Sequence, residues 1–384
     1  MTSLPKVELI DTEALAIEYG KFAAFIESSK ELKDMREDVR GLLSPCPRDV
    51  VFTEHSVTLY HYQPLAKAKV GAKAKVGAKA KASAKARVGR PLLIIPSLVN
   101  KPFVMDMLKG QSFVEAMLSR GLDVYMLEWG EPTLGQRDLT LEYYLNHYID
   151  RAVRRTMKRS GSDGVDLAGY CLGGTLALLY AALDKGDKVK SLVTMVSPFN
   201  FHDESMLSWW AKKEHLDVDM VVDTYGNVPA DFFAQAFPLL VPQANLTKLR
   251  LLYEHNENSE FMVGFLALDI WGRENTAFPG EVYRSLISHG YQENVLVEQG
   301  AWPVESGQLS LKDVVVPCLN LAADYDHIAP AASCTVLTSL LPNSECTSRS
   351  YPTTHLGFAL GKDVLQNSVK DYWDEIGKWL SSHQ

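Results

Sequence analysis

VDLAGYCLGGTLALLYAAL, residues 165–183, is the stretch that decides the fold. VDLAGY has the length and apolar content of a buried strand, and the thirteen residues after it have a helix pattern. Between them lies Gly169-Tyr170-Cys171-Leu172-Gly173-Gly174, a G-x-S-x-G nucleophile elbow with cysteine where serine usually stands. A residue on so sharp a strand-to-helix turn has strained backbone angles and crowded neighbours, so glycine is favoured two positions before and two after it. The turn lifts the sulfur of Cys171 to the top of a sheet, at a helix N-terminus whose dipole favours thiolate.

Outward from the elbow, strand and helix patterns alternate. PLLIIPSL (91–98), DVYMLEW (123–129), VKSLVTMVS (189–197) and VVVPCLNLAAD (314–324) read as further buried strands, and Val50 to Tyr62 as an alternating one. Leu139 to Lys158 reads as a helix, with Leu141, Tyr144, Leu145, Tyr148 and Ile149 on one face. The expected fold is α/β, an α/β hydrolase with a mostly parallel sheet and helices on both faces. Residues 201–310 break the rhythm and are rich in aromatics, among them Trp209, Trp210, Phe232, Phe233, Phe237 and Trp271. A segment that long is no simple loop. It reads as a helical cap over the C-terminal edge of the sheet, with most of these aromatics forming the cap's own core. The expected domains are a helical extension over 1–49, the α/β core over 50–200 and 311–384, and the cap over 201–310.

In this fold the order along the chain is nucleophile, acid, histidine. The acid should end a late strand, and Asp324 or Asp326 in LAADYDHIAP qualifies. The histidine should precede the last helix, and PTTHLG supplies His355, followed by a helix over Asp363 to Leu380. His327 reads as a neighbouring loop residue. An oxyanion hole needs two backbone N–H groups, expected from Leu172 and from the loop SLVNKP near Val99.

Composition limits the remaining readings. The 384 residues are 46% apolar and 22% charged, as in an ordinary globular protein. Five scattered cysteines form no CxxC pair, so neither a zinc site nor a redox motif is indicated; no metal and no cofactor is expected. No signal peptide and no membrane span is read, and a cytoplasmic location is expected. Residues 66–90 carry nine Lys or Arg and no acid in a degenerate AKAKVG repeat, and read as a solvated low-complexity loop. Without them 30 basic face 47 acidic residues, which argues against a nucleic-acid surface.

The chain resembles the polyhydroxyalkanoate synthases, in particular the short catalytic subunits of the two-subunit class III type. The resemblance runs from about residue 50 to the end, through LVNKPF (98–103), GLDVYMLEWGEP (121–132), YCLGGT (170–175), VTMVSPFNF (193–201), DVDMVVDTYGNVP (217–229), ADYDHIAP (323–330) and THLGF (354–358). It implies that Cys171 is the acylated nucleophile, His355 its base and Asp326 the third catalytic residue, helping to activate the attacking hydroxyl. Asp324 has no role in that pattern. The Ala/Lys segment is foreign to it. The implied substrates are an (R)-3-hydroxyacyl-CoA and a growing polyester chain. A non-catalytic second subunit, a homodimer and a place at the surface of polyester granules are further expectations. A polyester depolymerase or thioesterase of the same fold is the alternative.

Overall fold

The computed structural model describes residues 29–65, 89–255, 258–361 and 372–384. Eight strands form one sheet: β1 (Arg48–Glu54), β2 (Val57–Tyr62), β3 (Leu92–Ile95), β4 (Val124–Glu128), β5 (Val165–Tyr170), β6 (Val189–Met195), β7 (Cys318–Ala323) and β8 (Cys346–Tyr351). Their order is β1-β2-β4-β3-β5-β6-β7-β8. The β1–β2 and β2–β4 pairs are antiparallel and the others parallel. The central strands are buried along their whole length, as apolar strands must be when helices cover both faces.

Helices α1 (Ser29–Arg40), α2 (Phe113–Ser119), α3 (Asp150–Ser160) and α4 (Leu172–Asp184) precede the cap. The cap contains α5 (Met206–Ala211), α6 (Val218–Tyr225), α7 (Ala230–Leu240), α8 (Pro242–His255), α9 (Ser259–Arg273) and α10 (Gly280–Ser285). The last two helices are α11 (His355–Leu360) and α12 (Tyr372–Ser382). Helix α4 is apolar nearly all round because it is buried nearly all round; each of its fully buried leucines contributes roughly 1.5–3 kcal/mol on leaving water.

Several expectations are corrected. Residues 50–62 are not one strand but a hairpin, broken at His55, whose φ is 52°. The stretch from Leu141 to Ser160 changes winding, with a π-helical segment over Tyr144–Ile149, although the five expected side chains are buried on one face. Strand β8 has no apolar run: CTSRSY is an edge strand, and its alternating exposure needs none. A small hairpin, Ala301–Val304 with Gly307–Ser310, closes the expected cap region. Its Trp302 and Leu309 join the apolar core that α4 shares with cap residues such as Phe278 and Val282. The Ala/Lys segment through Val88, the chain before Ser29 and the expected helix start at Asp363 lie outside the described residues.

Candidate active site

Strand β5 delivers Cys171 to the top of the sheet, and α4 begins immediately after it. Cys171 has φ 55° and ψ −133°, a conformation that costs an L-residue free energy and persists only where its surroundings enforce it. The flanking glycines are part of that enforcement. A Cβ on Gly169 would lie 2.2 Å from the Gly174 Cα, and one on Gly173 would lie 2.1 Å from the Ile95 carbonyl oxygen. Gly174 is held close to Ser197, behind the turn, where a Cβ would meet the hydroxyl at 1.9 Å. The Cys171 N–H donates to the Met195 carbonyl (3.0 Å), tying the elbow to β6.

The other two catalytic candidates come from the ends of β7 and β8. His355 Nδ1 lies 2.6 Å from Asp326 Oδ2, and both residues are buried. Asp326 Oδ1 accepts from the N–H groups of Ile328 (2.8 Å) and Ala329 (2.9 Å). Asp324 instead is exposed and accepts from the Ser350 hydroxyl. His327 is exposed. Burial disfavours the imidazolium of His355, but the Asp326 carboxylate hydrogen-bonded to the ring, with the nearby Cys171 sulfur, outweighs it and raises its pKa to about 10. Tyr170, the residue before the nucleophile, donates its hydroxyl to the His355 carbonyl (3.1 Å) and so fixes the histidine's backbone. Nothing in the sequence singled out that tyrosine.

Leu172 is the first residue of α4, where a backbone N–H has no intrahelical acceptor. Val99 lies opposite in the loop after β3, its N–H directed at the Ser97 hydroxyl at 3.4 Å. That loop is stitched to the end of the cap. Thr276 donates its N–H to the Val99 carbonyl (2.9 Å) and its hydroxyl to the Leu98 carbonyl (2.9 Å), and the Trp271 indole donates to the Lys101 carbonyl (2.9 Å). Cys171, Leu172, Val99 and His355 open into one cavity of about 1050 Å³ beneath the cap. All six cap aromatics named from the sequence line it; Phe233 and Trp271 are core residues as well, with Phe237 packed against that core, whereas Trp209 and Phe232 are exposed rather than buried in a core. Among the described residues no cluster of three or more His, Cys, Asp or Glu side chains could hold a metal ion.

The α/β-hydrolase-fold family model matches residues 90–360. The poly(3-hydroxyalkanoate) polymerase subunit PhaC of Synechocystis sp. is 32% identical, over 94% of this chain and 90% of that one. The chain belongs to the poly(3-hydroxyalkanoate) polymerase family. The PhaC of Allochromatium vinosum is 33% identical over 87% of this chain and 88% of its own, and that of Haloferax mediterranei 29% over 95% and 70%. In this polymerase the cysteine elbow and the histidine after β8 open into one cavity under the cap, at the C-terminal edge of an α/β-hydrolase sheet, and the acid after β7 holds the histidine.

Proposed function

We propose that this chain is a polyhydroxyalkanoate synthase that polymerises (R)-3-hydroxyacyl-CoA, with release of CoA, through a covalent thioester on Cys171. One observation carries the mechanism: the strained Cys171 faces the His355–Asp326 pair inside an aromatic-lined cavity. His355 takes the proton of the Cys171 thiol, and Asp326, hydrogen-bonded to the ring, balances the charge of the imidazolium that forms. Cys171 Sγ attacks the acyl carbonyl, and the oxyanion forms against the Leu172 N–H, with the Val99 N–H joining once it turns from the Ser97 hydroxyl. The C–S bond to CoA breaks as His355 hands its proton to the departing thiolate. One thioester has replaced another at near-equal free energy.

The now neutral His355 takes the proton of an incoming 3-hydroxyl, whose oxygen attacks the acyl carbon. Thiolate leaves, an ester forms, and the Cys171–His355 pair returns to its starting state. A serine ester would be about as stable as the product ester, and this driving force would be lost. Asp326 is expected from the resemblance to help activate the hydroxyl. With Oδ2 on His355 and Oδ1 on two amides, it gives that help through the imidazole. Aromatic walls limit access of water, which would otherwise hydrolyse the acyl-enzyme.

Incubation with 3-hydroxybutyryl-CoA, following CoA release and turbidity together, tests the reading. Insoluble polymer supports it, and free hydroxyacid alone would favour the depolymerase or thioesterase alternative. The word "subunit" in the relatives' names supports a non-catalytic second subunit here, and a homodimer at the granule surface completes the proposal. No helix among the described residues is long and apolar enough to cross a membrane.

A further inference from the structure

Five cations gather around two carboxylates where α1, the loop after β3 and the cap helices α8 and α9 meet. Asp269, only 5% exposed, receives Arg36 from α1, Lys248 from α8 (2.6 Å) and Arg273 from its own helix (3.0 Å). Glu274, at the end of α9, receives Arg40 from α1 and Lys101 from the loop after β3 (3.2 Å). Lys101, Lys248, Asp269 and Arg273 also line the cavity that holds Cys171. Arg36 and Arg40 stand one helical turn apart and point to the same side. The cluster therefore carries three positive charges beyond what its own acids neutralise, in a chain whose net charge is −8. One carboxylate would suffice to pin α1 to the cap. Three cations on one buried carboxylate leave guanidinium and ammonium donors for a further anion.

We propose that this cluster is the binding site for the phosphate groups at the nucleotide end of the acyl carrier, with the thioester arm running from it along the cavity to Cys171. The proposal rests on the CoA-thioester reading above and adds where the carrier is held. Arginine forks and lysine ammonium groups suit phosphate oxygens, and charge-assisted bonds of this kind are the strong ones. The acyl group makes no use of the cluster, so the site recognises the carrier and leaves acyl selection to the aromatic walls.

The test measures binding and turnover separately on the full chain. Calorimetry with CoA, 3′-dephospho-CoA and pantetheine should show affinity falling in that order for the wild type. The preference for CoA should fade as salt rises, because screening weakens exposed ion pairs. In Arg36→Gln/Arg40→Gln, KM for 3-hydroxybutyryl-CoA should rise about tenfold, the order expected from loss of a charge-assisted phosphate contact, with kcat little changed. KM for the pantetheine thioester, which has no such phosphates, should move less than about twofold. Arg36→Lys/Arg40→Lys should recover most of the CoA affinity. Equal affinity of the wild type for CoA and pantetheine would overturn the proposal, as would equal KM changes for the two thioesters in the Gln variant. Either result would leave the polymerase reading standing, since wild-type polymer formation does not depend on it.

Discussion

His355 Nδ1 and Asp326 Oδ2 are 2.6 Å apart, and the carboxylate's other oxygen is held by two backbone amides. The pair comes from two adjacent parallel strands. Asp326 follows β7 and His355 follows β8, with Cys318 paired to Cys346 and Ala323 to Tyr351 along their length. The register of the sheet thus fixes the distance between acid and base. Cys171 stands two strands from β7, on β5, with β6 between them.

The histidine's titration follows from this contact. Its pKa is raised to about 10 from a usual value near 6.5. A group raised on folding contributes stability that is fully present below the unfolded value and is lost as pH rises through the folded one, so the window here runs from about 6.5 to about 10. NMR of the His355 ring should show it still protonated at pH 8 in the wild type. In Asp326→Asn the midpoint should move down. A wild-type midpoint near the ordinary histidine value would contradict the hold of the Asp326 carboxylate on the protonated ring.

Asp326→Asn should also separate the two half-reactions. Attack by sulfur needs little help, because a cysteine thiol is already a few per cent ionised at about pH 7, whereas an alcohol needs a strong base. With a weakened imidazole, the variant should show an initial burst of CoA release followed by slow turnover. Rapid-quench amplitudes check this. Loss of the burst in proportion to the steady state would mean that the carboxylate serves acylation equally.

Gly173→Ala should be severely disruptive. Its Cβ would lie 2.1 Å from the Ile95 carbonyl oxygen and 2.5 Å from that of Pro96, both backbone atoms that cannot rotate aside. The expected loss is at least about 1–3 kcal/mol, the usual range for overpacking. Denaturant unfolding measures it, and activity should fall further than stability because the elbow must shift. A variant of wild-type stability would show that the turn is looser than described.

Removal of residues 66–88 should leave fold and activity within a few-fold of wild type. His61 and Leu93 both pair with Tyr125, so the ends to be joined stand two strand spacings apart, roughly 10 Å. The six residues left between Tyr62 and Leu92 can span about 20 Å when extended. Soluble yield and CoA release check the expectation; insolubility of the shortened chain would show that the segment supports the fold.

The elbow, the buried strands around it and the acid-then-histidine sequence were legible because each rests on a simple rule: glycines at fixed offsets, apolar runs of strand length, and a fixed order of catalytic residues along the chain. What escaped has no local rule. CTSRSY is a strand because β7 lies beside it, and polar edge strands carry no pattern of their own. The hairpin turn at His55 lacks glycine, so nothing in VVFTEHSVTLYHY marks the break. Thr276 closes the loop carrying Val99 from 177 residues away, a contact that only the folded chain brings about. The cap aromatics were visible, but not which way they face.

The central claim is that the growing acyl group is carried on Cys171. Wild-type protein mixed with radiolabelled 3-hydroxybutyryl-CoA, quenched in acid within milliseconds and digested, should yield label on the peptide containing Cys171 and on no other cysteine peptide. The bond should be released by hydroxylamine, as thioesters are. Cys171→Ala should bind the substrate, acquire no label and release no CoA. Label absent from that peptide while polymer accumulates, or CoA release by the alanine variant at the wild-type rate, would contradict the account.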